Sequence, residues 1–399
     1  MKKNNYSLLN NKIKKIIFNL LGLILILPIF IYFNKDFDLD FSNCTIYECY
    51  TGISIGTIVL ILFSLYFLSL NLQLILISLF ITLFVIEFLS YNNNEWFLRA
   101  IKSLLPFYFL LTYLSIKTYV KISHQTVDKL LTLRIPYLII FFQVIIILNN
   151  IQFENINSLF LPTEKEIVPS LFSIPVLKVY NYNQYFSFIL AIACGVRLFL
   201  NIKINEKIFI IFFLIYSCLH AANFTALICS IIIIIFSFLN KKFPNDKIHD
   251  LNFRIFSYFF ISMFFLIPVY SEFLLQFLNL ENSKNFYQLV TRLERYSVFI
   301  TNFNFTFFFN GIYPYPIFKQ QMHNQFLEYL SFFGLIKTFF LMFILFIIFK
   351  RIKEIYFFFP LSVVIGLGGG LNEIFTHLYT GQIIFFYLVF SSNFKMKFN

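Results

Sequence analysis

Long unbroken runs of apolar residues, separated by short clusters rich in Lys, Asn and Asp, set the pattern of this chain. A helix crosses the hydrocarbon of a bilayer with about 20 apolar residues, and with somewhat fewer when interfacial anchors flank it. On that measure the runs predict about twelve spans, near 16–33, 51–69, 72–90, 103–116, 135–150, 184–201, 208–221, 224–239, 255–273, 326–349, 355–370 and 376–391. The seventh and eighth are short and the last pair is interrupted, which gives a range of about eleven to thirteen. The first run has a basic leader, but no small-residue cleavage site follows "LLGLILILPIFIYFNKDFDLD". It therefore reads as a retained helix rather than a signal peptide. No repeat of fixed period and no soluble domain interrupts the pattern. The expected fold is all-α and integral to the membrane, one polytopic helical bundle over 1–399.

Composition strengthens this reading. Hydrophobic residues make up 59% of the chain and charged residues 13%, against about 25% charged in soluble domains. The excess of Phe, Ile, Asn, Lys and Tyr also matches AT-rich coding, so no single Phe carries weight. The net charge of +12 would suit nucleic acid, but the basic residues flank apolar runs, where they orient membrane helices. No nucleic-acid partner is expected. With the N-terminus inside, 21 of the 31 Lys and Arg fall in cytoplasmic segments. The outer segments carry acid instead, such as Asp36, Asp38, Asp40 and Glu48. Both termini are then cytoplasmic. Two outward segments, 151–183 and 274–325, are too long for turns, and long loops in compact proteins are usually functional or disordered. The second is too apolar for a disordered segment. Cys44 and Cys49 share the first outer loop, either as a disulfide or as two free thiols; Cys194, Cys218 and Cys229 sit in helices.

The long loop 274–325 concentrates the candidate chemistry. Arg292 and Arg295 stand three apart in "QLVTRLERYSVFI", which places them on one face if this stretch is helical. Two guanidiniums on one face repel unless an anion bridges them, and the planar fork suits phosphate oxygens. Alternatively, Glu294 and the interface neutralise them. Further on, "KQQMHNQFLEYLSFFGLI" brings His323, Asn324 and Glu328 to the start of an apolar helix. At 3.6 residues per turn, His323, Leu327, Leu330 and Gly334 share a face, and Glu328 lies about 140° round from His323. Gly334 would let a neighbouring helix come close. Asn324 suits a helix cap worth about 1 kcal/mol. By spacing alone, His323 reads either as an interfacial or capping residue or as a catalytic one.

The order "TRLERYSVFITNFNFTFFFNGI" (291–312) and then "HNQFLEYLSFFGLI" (323–336) resembles the O-antigen polymerase and O-antigen ligase superfamily of bacterial envelopes. There, an Arg-led amphipathic segment, a Gly-containing turn and an "HNxxLexlxxxGl" helix start occur in this order in a large periplasmic loop. Upstream, "VYNYNQYFSFILA" (179–191) is similar to the segment leading into the family's middle span, usually built around an Asn, here Asn183. The similarity covers about 185–350. One feature departs from it: the family places a Ser-Arg pair at an outer turn where "HAANFTALICS" has Asn223 and Phe224. Either His220 or another Arg substitutes, or the chain is a divergent branch.

The resemblance implies a GT-C-like helical fold and an inverting, metal-independent glycosyltransferase of the inner membrane that needs no cofactor. Its donor would be an undecaprenyl-pyrophosphate-linked oligosaccharide, its partner a chain-length regulator protein. It assigns Arg292 and Arg295 to the pyrophosphate and His323 to the attacking hydroxyl, with Asn324, Glu328, His220 and Asn183 in support. Such a transfer needs a cation on the leaving group and a base or acceptor on the nucleophile, and arginines can supply that cation. Polymerase is preferred to ligase, which differs in using lipid A core as acceptor. A lipid-linked oligosaccharide flippase is the reading from another class. Transporters place charge at mid-membrane, where this chain offers chiefly Glu87, Arg197 and Lys337.

Overall fold

The computed structural model describes residues 29–31, 53–69, 71–91, 97–119, 135–150, 177–179, 183–200, 202–221, 223–240, 246–277, 287–303, 308–309, 311, 324–350, 352 and 355–371. Within them the chain is helical apart from three very short strands. The helices are α1 (Ile55–Ser69), α2 (Leu72–Tyr91), α3 (Phe97–Tyr119), α4 (Ile135–Asn150), α5 (Asn183–Phe199), α6 (Ile204–His220), α7 (Phe224–Leu239), α8 (Asp246–Val269), α9 (Ser271–Phe277), α10 (Tyr287–Thr301), α11 (Gln325–Lys350) and α12 (Ile355–Val363). α12 continues through a π-helical turn, Val364–Gly368, into a last turn, Gly369–Leu371. The strands β1 (Ile29–Ile31), β2 (Ile53–Ser54) and β3 (Leu177–Val179) form an antiparallel sheet in the order β2-β1-β3.

The helices largely follow the apolar runs, with four differences. Residues 29–31 lie inside the predicted first span yet form the central strand; Pro28 precedes "IFI", and Pro disfavours helix while β-branched and aromatic residues favour strand. The second run likewise starts as β2 before α1 begins. The run at 255–273 breaks at Tyr270, just beyond Pro268, which removes a backbone donor from the last turn of α8. The run at 326–349 is a kinked helix. Gly334 sits at φ 78 and ψ 174 within α11, a region open in practice to glycine alone. It breaks the helix at this point. Gly334→Ala should therefore cost about 1–3 kcal/mol, read as a lower melting temperature of the purified protein; an unchanged transition would mean that α11 can straighten. The predicted last span, 376–391, together with Cys44 and Cys49, lies outside the described residues.

Among the described residues, two helices are long and apolar enough to cross a membrane, Asp250–Val269 and Gln325–Lys350. Only 33% of the first one's apolar window is buried within the protein. Its outer face presents Leu251, Ile255, Phe259 and Leu266, and elsewhere Phe212 is 69% exposed. Water penalises such surfaces and hydrocarbon does not.

Packing gathers the helix termini into two ends. At one end the ring of Phe359 on α12 meets Phe236, Phe253 and Phe199 at centroid distances of 4.7, 5.2 and 5.6 Å. Here Arg197, in the last turn of α5, pairs with Glu206 in the first turn of α6 at 2.7 Å, and Tyr137 of α4 donates to the same carboxylate. Lys207 lies 3.5 Å above the ring of Phe238. The opposite end collects the start of α5, the α6–α7 turn, α10, the head of α11 and the tail of α12.

The first half of α11, Gln325–Gly334, is entirely buried. Tyr329 donates to Ser103 O of α3 at 3.0 Å and stacks edge-on to Phe107. Beyond the kink, Lys337 pairs with Glu87 of α2 and donates to Phe309 O at 3.0 Å. Phe309 is thus held against α11, and Gly311 comes so close that an added Cβ would meet Phe332 backbone at 2.2 Å.

Candidate functional site

At the second end of the bundle α10 meets the head of α11 and the turn that follows α12. α10 turns Val290, Leu293, Tyr296 and Phe299 inward at helical spacing, all buried. Arg292 and Arg295 flank that stripe, half-buried, while Glu294 is exposed. The Nη1 of Arg292 donates to Leu371 O, in the last turn after α12, at 2.8 Å. A hydrogen bond from a charged guanidinium to a carbonyl is stronger than one between neutral groups. A guanidinium has five N–H groups, and one contact leaves others to face an anion.

Asn324 approaches the same terminus from α11. Its Oδ1 accepts from Leu327 N at 2.8 Å, capping α11, and its Nδ2 donates to Gly370 O at 2.7 Å. The residue is 0% exposed. Two adjacent carbonyls, 370 and 371, are therefore held by side chains from two different helices, α11 and α10. The sequence indicates the cap but not the second bond. Asn324→Asp keeps the capping oxygen while replacing the donor with a carboxylate that faces a carbonyl. We expect it to be no more stable than Asn324→Ala, each losing about 1–3 kcal/mol in thermal unfolding. Wild-type stability of Asn324→Asp would reduce the residue to its cap alone.

Glu328 is buried in the first turn of α11, where an acidic side chain complements the helix dipole. Asn183 forms the first residue of α5. Asn223 caps α7 through Ala226 N at 3.0 Å and donates to Ser187 Oγ of α5 at 3.1 Å. It is thus a structural tie between α5 and α7, while Phe224 beside it is 67% exposed. His220 ends α6, buried against Tyr216 with ring centroids 6.0 Å apart. His323 lies outside the described residues, directly before Asn324. Arg292 and Asn324 are brought to one place, whereas Asn223 and His220 belong to the neighbouring α5–α7 corner of the same end.

Sequence reasoning missed the run Gly366–Gly370. At Gly366 an added Cβ would lie 1.6 Å from Phe260 O of α8; at Gly369 it would lie 2.7 Å from the Phe264 ring, and at Gly370 2.7 Å from Ile267. Small residues of this kind let helix backbones touch. The signal was present as "GLGGG", but four glycines in five residues also read as an interruption. The charges offered for transport are engaged as well: Glu87 with Lys337, Arg197 with Glu206. Comparison with family models, curated proteins and solved structures gives no match.

Proposed function

We propose that this chain is an O-antigen polymerase: a multi-pass inner-membrane glycosyltransferase with about twelve spans and both termini in the cytoplasm. It joins undecaprenyl-pyrophosphate-linked repeat units at the periplasmic face, by inversion and without a metal, alongside a chain-length regulator. The observation that carries this reading is the convergence of Arg292 and Asn324 on the neighbouring carbonyls of Leu371 and Gly370. Arg292 and Asn324, one from each of the two sequence segments that resemble the superfamily, thereby meet at a single place. Arg292 and Arg295 offer guanidinium donors to the leaving pyrophosphate, whose developing charge they would stabilise. His323 enters at the head of α11 as the group that orients the attacking hydroxyl. Pairing of Glu87 with Lys337 and of Arg197 with Glu206 favours this over a flippase, which would need mid-membrane charge available to its cargo.

The lipopolysaccharide ladder of a deletion strain tests the reading. A single repeat unit on core supports a polymerase. Lipid-linked polymer with bare core would make it a ligase, and single lipid-linked units held at the cytoplasmic face would make it a flippase. At residue level, His323→Ala and His323→Gln at matched protein levels should both give single-unit lipopolysaccharide; a normal ladder from either removes His323 from the chemistry.

A further inference from the structure

A cavity of about 570 Å³ opens between α8 and the second half of α11, with Ile365 of the π turn on its floor. These are the two described helices long and apolar enough to cross a membrane. Eight of the twelve lining side chains carry aromatic rings and none is charged. Tyr258 and Phe343 form its open side, 39% and 59% exposed, and Leu345 is buried within it.

The groove leads toward the helix ends just described. Phe264 and Phe265, which line it, meet the ring of Phe326 at 6.2 and 5.0 Å, and Phe326 follows Asn324 by two residues. The Phe264 ring also lies against Gly369. From Gly369 to Leu371, where Arg292 is bound, the helix rises about 3 Å. An apolar channel and a guanidinium with donors to spare thus adjoin. That combination fits one chemical class: a lipid whose single hydrocarbon chain lies in the groove and whose phosphate head reaches Arg292.

We propose that this groove holds part of the isoprenoid chain of the lipid donor. The choice of an isoprenoid rests on the polymerase reading. A volume of this size belongs to the ligand-pocket range and holds a stretch of one chain, not a two-chain phospholipid. Moving a chain from bilayer to groove gains no hydrophobic free energy, because lipid tails are as apolar as the groove wall. Selection must therefore come from shape against the aromatic walls together with the phosphate contact at Arg292. Neither feature alone suffices.

The test uses the full-length protein in nanodiscs with radiolabelled undecaprenyl phosphate as probe. A photo-crosslinking phenylalanine analogue is placed at Phe343 in the groove, or at Phe212 on the outer face of α6. Labelling from position 343 should saturate and be displaced by unlabelled undecaprenyl phosphate, but not by equal phosphatidylglycerol or inorganic pyrophosphate. Labelling from position 212 should stay linear. Leu345→Trp, which fills the groove, and Arg292→Ala, which removes the head contact, should each lower saturable labelling by about tenfold or more. Linear labelling at position 343, or equal competition by phosphatidylglycerol, overturns the proposal. If labelling fails to saturate while repeat units are still polymerised, the groove falls and the enzymatic reading stands. Saturable labelling in a protein whose deletion leaves the ladder intact keeps the groove as a polyprenyl-phosphate site and removes the polymerase.

Discussion

Replacing Arg292 by alanine is expected to reduce surface chains to single repeat units, and replacing it by glutamine should restore the protein without restoring the chains. The side chain has two tasks on the proposed reading. It caps Leu371 O at 2.8 Å, and it presents its remaining donors to pyrophosphate. Glutamine can still donate one neutral hydrogen bond to the carbonyl but brings no charge. Loss of one charge-assisted contact costs about 1.5–3 kcal/mol, or roughly ten- to a hundredfold in affinity. Lysine should rescue poorly because a point charge cannot serve a carbonyl and a phosphate through a planar fork. The measurements are protein level in the membrane and the lipopolysaccharide ladder. Normal ladders from Arg292→Gln would leave the residue a helix cap and nothing more.

The largest effect on stability is expected at Gly366. A methyl there would sit 1.6 Å from Phe260 O, a backbone atom that cannot rotate away. α8 and the π turn of α12 would have to separate, disturbing both the floor of the groove and the end that holds Arg292. Overpacking of a tight core costs typically 1–3 kcal/mol and occasionally more, so Gly366→Ala should cost about 3 kcal/mol or more and leave little folded protein in detergent. Gly195→Ala is the useful contrast. Its added Cβ would meet side-chain atoms, Ile233 Cγ2 at 2.8 Å and Pro360 Cβ at 2.9 Å, and Ile233 can shift its rotamer. Thermal unfolding of the two variants should rank Gly366→Ala well below Gly195→Ala. Equal melting temperatures would mean that the α8–α12 contact is looser than its geometry implies.

The sequence by itself determined the helical class, most helix positions and the cap at Asn324. α4 and α7 fall where their apolar runs place them, because hydrophobic pattern encodes burial and a helix satisfies its own backbone within the run. Asn324 was legible as a cap for the same reason: its Oδ1 serves a backbone N–H three residues on. Where the chain left the pattern, at Ile29–Ile31 and at Gly334, the cause lay in pairing and backbone geometry that apolar periodicity does not encode. What only the tertiary structure decided is which distant group each polar side chain meets. Arg292 reaches Leu371 across 79 residues, Asn324 reaches Gly370 across 46, and Lys337 reaches Glu87 across 250. Local spacing fixed the face on which Arg292 stands, but its partner is a backbone carbonyl, which every residue carries and no residue type announces. Close helix packing at Gly366–Gly370 supplied that partner by bringing the end of α12 beneath α10 and the head of α11.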